Sequence, residues 1–233
     1  MIGGKWKENM NMEGMNKMIN PNLLKLAGRT GNKDLSEDTS KEESIENFTD
    51  LNIKANINKS DYILIPQHKT LIAKSESHKG NNWNDTLYKL ADNGLYMPSI
   101  AEFMQHSLNV KYAYEGKITL LDGNTNPLSE KEIEDLWKYL TTSHKNGCWA
   151  WLDALFKLEN NNWYMETNHK VIKKGNNNEL TFKKESLEQC LKEDCYVNLD
   201  FNKQGLPKSK SSKQKYIQGE TIYYYPPRND TVA

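Results

Sequence analysis

The sequence predicts an α+β domain of about 170 residues, 61–233, behind a polar leader at 1–60. Three observations predict it. Short apolar runs end on turn residues, as strands do. Two Ser-x-x-Glu capping boxes open amphipathic runs, as helices do. Five of the six tryptophans lie between Trp83 and Trp163, which places the packed part of the chain there.

The leader has little to bury. Met10, Met15, Met18 and Ile19 have the spacing of a short docking helix, and Ser36 to Ser44 is a run of Ser, Thr, Asp, Glu and Lys with no apolar residue. Such a segment cannot offset chain entropy, so disorder is expected. The domain then begins near Asp61. Tyr62-Ile63-Leu64-Ile65, ended by Pro66, predicts a strand, and Leu71-Ile72-Ala73 a second. Asn84-Asp85 predicts the cap of a helix carrying Leu87, Tyr88, Leu90 and Ala91, stopped at Asn93-Gly94. Ser99-x-x-Glu102 opens a helix with Ile100, Phe103, Met104 and Leu108 on one face. Lys117 to Leu121 predicts a strand closed by Asp122-Gly123-Asn124. Ser129-x-x-Glu132 opens a helix carrying Ile133, Leu136, Trp137 and Leu140. Apolar runs flanking Glu159-Asn160-Asn161-Asn162 predict a hairpin. Ser186-x-x-Gln189 predicts a short helix, Tyr196 to Phe201 a strand, and Thr221 to Tyr225 the last strand. Short strands, hairpins and two main helices summarise the expected domain.

Charge and composition exclude several functions. Lys plus Arg equals 31 and Asp plus Glu equals 31, so the chain lacks the basic surplus that coating nucleic acid or anionic membrane requires. Arg29 and Arg228 are the sole arginines, which argues against base-specific DNA reading through the guanidinium fork. No apolar run is long enough to span a membrane, and the first residues lack a secretory h-region, so a cytoplasmic location is expected. Three cysteines do not suggest a disulfide framework.

Candidate chemistry is sparse. His144 with Cys148, and Cys190 with Cys195, joined by His169, could ligate zinc, but no tight Cys-x-x-Cys or His-Glu-x-x-His pair is present. Cys148 with His144 or His169 meets the minimum for a thiol enzyme and nothing more. Neither a metal nor a cofactor is expected. Glu130, Glu132, Glu134 and Asp135 read as the solvated face of a helix. Lys208 to Lys215 reads as a solvated cationic loop, and Tyr223-Tyr224-Tyr225 as a strand with one or two rings in the core.

Two segments carry a resemblance. Asn82-Trp83-Asn84-Asp85-Thr86-Leu87 and Gly94-Leu95-Tyr96-Met97-Pro98-Ser99-Ile100-Ala101-Glu102-Phe103 resemble the Trp-x-Asp-Ala … Gly-x-x-Leu-Pro-Thr-x-x-Glu-Trp signature of formylglycine-generating-enzyme-like domains, a branch of the C-type lectin fold. Met97, Ser99 and Phe103 replace the family's Leu, Thr and Trp. Ile65 to Lys69, Asn146 to Trp149 and Tyr223 to Ala233 are similar to the archaeal variable proteins of diversity-generating retroelements. That resemblance implies a non-enzymatic ligand-binding scaffold with a hypervariable surface, whose ligand is an unidentified protein or surface group. It also implies that the variable C-terminal tail begins where this chain ends, at Ala233. The alternative is a formylglycine-generating-type oxidoreductase or a related thiol or metal enzyme. No cysteine here matches that enzyme's catalytic pair, so no catalytic or ligand-binding residue is carried over.

Overall fold

A computed structural model describes residues 55–141, 150–174, 177–188 and 190–233. The expected leader lies outside the described residues as far as residue 54, as do His144, Cys148 and Gln189. The described chain mixes helix and antiparallel sheet, as the α+β expectation requires.

It opens with a hairpin. β1 (Tyr62–Ile65) pairs with β2 (Thr70–Ala73) from Tyr62↔Ala73 to Ile65↔Thr70. Three helices follow: α1 (Trp83–Asp92), α2 (Ile100–Tyr114) and α3 (Glu130–Leu140). All three were expected as elements, and α1 ranks beside the two main ones because Trp83, Thr86, Leu87 and Leu90 give it a full buried stripe. Its cap is Asn82 rather than Asn84 or Asp85. Asn82 Oδ1 accepts from the Asp85 backbone amide at 2.8 Å. Both predicted capping boxes form completely, at Ser99 with Glu102 and at Ser129 with Glu132.

The second half is sheet. β3 (Leu155–Glu159), β4 (Asn162–Lys174), β5 (Asn177–Ser186) and β8 (Thr231–Val232) form one antiparallel sheet in the order β5-β4-β3-β8. The predicted hairpin turn is the two-residue loop Asn160-Asn161, with φ of 50° and 64°. Positive φ at both positions is what a tight hairpin with the right twist demands, and Asn tolerates it. β6 (Cys195–Asn198) and β7 (Thr221–Tyr224) form a separate ribbon.

Two expected elements do not form. Lys117 to Leu121 is not a strand. Leu121 and Asp122 make isolated bridges only, because the Asp122 carboxylate accepts from the Asn124 and Asn126 amides at 2.8 Å each and turns the chain at once. Ser186 does not open a helix. It is the last rung of β5, opposite Tyr164, and Leu187 N–H continues the pairing onto Trp163 O at 2.9 Å. The strand expected over Tyr196 to Phe201 is shorter, ending at Asn198 with an isolated bridge from Phe201 to Pro207.

The core has three centres. Ile63 and Ile65 of β1 pack with Val110 of α2 and Leu136 of α3. Ile100 of α2 packs with Phe156, Met165 and Leu206 across the sheet. Trp83, Leu87 and Leu90 of α1 pack with Met97, Val171 and Leu180. Ala233 packs on the second centre.

Candidate binding clefts

The α1–α2 loop, residues 93–99, positions everything that follows. Gly94 takes φ 70° just past α1, the left-handed turn that ends a helix without a Cβ penalty. Tyr96 and Met97 then point opposite ways in effect: Met97 is 2% exposed and Tyr96 54%. The loop is clamped from below. Pro98 O accepts from Asp153 N–H at 2.8 Å, and Leu152 O accepts from the Trp83 indole Nε1 at 2.8 Å.

Asp153 is the centre of that clamp. One carboxylate oxygen accepts from His169 N–H at 3.0 Å, and the other meets His169 Nδ1 at 2.5 Å. Both side chains are buried. The Trp83 ring meets the imidazole edge-on at 5.1 Å. His169 sits in a β-bulge between Thr167 and Lys170, next to Asn168 at φ 58°. A bulge leaves an amide without a ladder partner, and the Asp153 carboxylate supplies one.

The first cleft, about 780 Å³, lies between β2, residues 74–81, the α1–α2 loop, α2 and the last turn of α3. Leu71, Ile72, Leu90, Met97, Leu136 and Leu140 give it an apolar lining. Its walls carry the exposed aromatics Tyr96, Tyr139 and Trp151, at 54%, 36% and 43% exposure. Trp151 is fixed by its indole N–H, which donates to Asn81 O at 2.9 Å. Tyr139 donates to Glu76, which also pairs with Lys79 at 2.7 Å. The Lys79 and Tyr139 bonds hold the Glu76 carboxyl below the usual range. The Tyr96 hydroxyl is bonded to the Thr70 hydroxyl and reaches Glu102 Oε1 at 3.5 Å. Desolvation, with the Glu102 charge adding to it, pushes that hydroxyl up. His106, on α2, also lines the cleft and is 4% exposed.

A second cleft, about 860 Å³, lies on the other side of the same loop. Leu95, Tyr96, Met97, Glu102 and Lys170 line both. Its walls add the Asp153–His169 pair and the charged Lys183, Glu185 and Lys203. Lys183 pairs with Glu185 at 2.8 Å and Lys203 with Glu188 at 3.1 Å, so much of that charge is internally matched.

Of the residues singled out in the sequence as candidate chemistry, His169 lines the second cleft, Cys190 and Cys195 line neither, and His144 and Cys148 lie outside the described residues. Cys190 and Cys195 lie beside Tyr224, whose hydroxyl burial pushes up, with Cys190 contributing. Burial raises the Cys195 thiol, the direction opposite to nucleophile activation. His169 bonds Asp153 through both its amide and its ring. Among the described residues no group of three or more His, Cys, Asp or Glu is arranged to hold a metal. The cationic loop is largely neutralised: Lys208 pairs with Asp200, Lys210 with Glu193 and Lys213 with Glu220. Tyr223 and Tyr225 are exposed and stack edge-to-face with each other at 4.9 Å, Tyr196 joining at 5.0 Å, while Tyr224 is the partly buried ring. Sequence reasoning missed Tyr139, Trp151 and His106 as cleft residues. Their only signal was position in amphipathic or aromatic runs, which says buried or exposed and not what faces what.

The described fold and its clefts define a mixed α+β chain with a concave, aromatic-edged surface. Compared with known proteins, the chain matches no family model, no curated relative and no solved structure. Among the described residues no helix is long and apolar enough to cross a membrane.

Proposed function

We propose that the chain is a non-enzymatic ligand-binding scaffold of C-type-lectin-like type, working in the cytoplasm, with the first cleft as its binding surface. The observation that supports this reading is the cleft itself. Apolar lining under a rim of Tyr96, Tyr139 and Trp151 is the composition of a binding surface: large rigid rings contribute contact area at low entropic cost. All three rings are already held by hydrogen bonds, so little order is lost when a ligand seats on them.

The segment that carries the resemblance, 82–103, supplies α1, the shared loop and the first turn of α2. Diversification of the exposed surface by a retroelement belongs to the same proposal. Sequencing the locus in many cells of the source population tests it: substitutions confined to adenine-templated codons support it, and invariance removes it. For the cleft, a fluorescence-detected screen of peptides and small molecules supplies a ligand. Trp151→Ala and Tyr139→Ala should then each weaken binding about tenfold or more at unchanged stability. Unchanged affinity in both variants would move the binding surface elsewhere.

A further inference from the structure

His106 is the odd residue of the first cleft. It sits on α2, with the Phe103 ring at 6.3 Å. Its Nδ1 is buried and has no hydrogen-bond partner among the described residues. The amides near it on the helix are engaged elsewhere. Asn109 Oδ1 accepts from Gln105 at 3.0 Å and from Gln67 at 3.3 Å, and Asn109 Nδ2 donates to Gln67 at 3.1 Å. A buried polar atom without a partner is costly and uncommon, and a ligand that satisfies it gains what the free protein lacks.

Of the charges lining the cleft, Lys74, Glu76 and Glu102 are engaged, while Lys69 and Lys170 are exposed to water. Lys74 is paired with Glu132 at 2.7 Å. Glu76 is held by Lys79 and Tyr139. Glu102 accepts from the Ser99 amide and hydroxyl at 2.8 and 2.9 Å. A carboxylate ligand would meet Glu102 on the same wall. An ammonium ligand would have to displace Lys79 or Ser99.

We propose that the cleft takes an uncharged aromatic alcohol or related phenol-like group, its ring on the Tyr139 and Trp151 side and its hydroxyl bonded to His106. This subsite deepens the binding reading above and rests on it. Burial holds the His106 imidazole down to about 4, so at neutral pH it offers a hydrogen bond and no charge.

The test uses three probes of one shape, measured by equilibrium dialysis on the full chain: 2-naphthol, 2-methylnaphthalene and 2-naphthoate. The wild type should bind 2-naphthol most tightly and the carboxylate least. His106→Leu should weaken 2-naphthol about tenfold and leave 2-methylnaphthalene within about twofold. His106→Asn, which returns a polar atom near the Nδ1 position, should recover part of the naphthol preference. Trp151→Ala should weaken both neutral probes alike. Equal loss of both neutral probes in His106→Leu, or no change in either, would overturn the subsite while leaving the cleft standing. Failure of all three probes to bind the wild type would overturn subsite and cleft together.

Discussion

At the residue scale, the position of His106 has a consequence for stability as well as binding. Its folded value, about 4, lies below the 6.5 of a free imidazole. Above pH 6.5 both folded and unfolded chains carry it neutral, and it costs nothing further. As pH falls from 6.5 to 4 the unfolded chain takes up the proton first, so folding loses stability across that window. The loss approaches about 3 kcal/mol by pH 4. Urea unfolding of wild type and His106→Leu between pH 7 and 4 should show this slope in the first and a flatter one in the second. Parallel profiles would mean that the imidazole is solvated. Glu132 works in a lower window. Its bond to Lys74, with those from Ser129, holds its carboxyl down to about 2, so its contribution is lost only below pH 4.5. That side chain is 44% exposed, and solvent screening keeps its effect small. Gly205 is a second residue with a fixed requirement. It has φ 82°, and a Cβ there would stand 2.6 Å from the Ala101 amide nitrogen. Gly205→Ala should therefore cost about 2 kcal/mol or more in urea unfolding. Neither requirement was legible in the sequence. His106 shares a helix face with Phe103, which reads as core, and nothing local says that Gly205 touches α2.

At the scale of elements, what was legible was local. Ser99 and Ser129 each precede an apolar stripe and a Glu three residues on, and both boxes form as the spacing demands. The Asn160-Asn161 turn is likewise written in adjacent residues. The failures lie where a distant partner decides. Ser186-x-x-Gln189 has the helical spelling, but the β4 strand claims Ser186 for its own ladder. Neither β5 nor the full length of β4 was foreseen, since lysine and asparagine fill much of both and their pairing is with each other. The two boxes also differ in consequence. The Ser99 hydroxyl is part-buried beside the clefts, and the Ser129 hydroxyl is exposed. Ser129→Ala should cost about 1 kcal/mol by urea unfolding. Ser99→Ala should cost at least as much and also loosen Glu102, which lines both clefts. Amide exchange in the first turn of α2 reads that second effect. Equal exchange in wild type and variant would confine Ser99 to capping alone.

At the scale of the whole molecule, residues 151–154 join parts of the chain that do not touch in sequence. Leu152 O receives the Trp83 indole of α1, Asp153 N–H reaches Pro98 of the α1–α2 loop, and the Asp153 carboxylate holds the β4 bulge. Leu152 N–H and Ala154 O both bond Ala233, beside β8. The segment with the resemblance had shown Trp83 and Pro98 as positions of note; the structure gives both a mechanical task, holding the shared wall of two clefts. The pair at its centre is asymmetric. Removing His169 leaves a buried carboxylate with a single amide donor, whereas removing Asp153 leaves an imidazole with no obligatory charge. Buried pairs broken from one side lose about 3–5 kcal/mol, and the side that strands the charge loses more. His169→Phe should therefore destabilise more than Asp153→Ala. The double variant should be less destabilised than the sum of the two, by about 1–3 kcal/mol, because its carboxylate is gone as well. Asp153→Ala keeps the backbone amide that holds Pro98, so ligand binding in the first cleft, which Asp153 does not line, should stay within about twofold while the β4 bulge loosens. Additive losses in the double-mutant cycle would mean that the carboxylate and the imidazole hold their places independently, and a large loss of ligand affinity in a folded Asp153→Ala chain would mean that the bulge, and not the main-chain bond to Pro98, positions the shared loop.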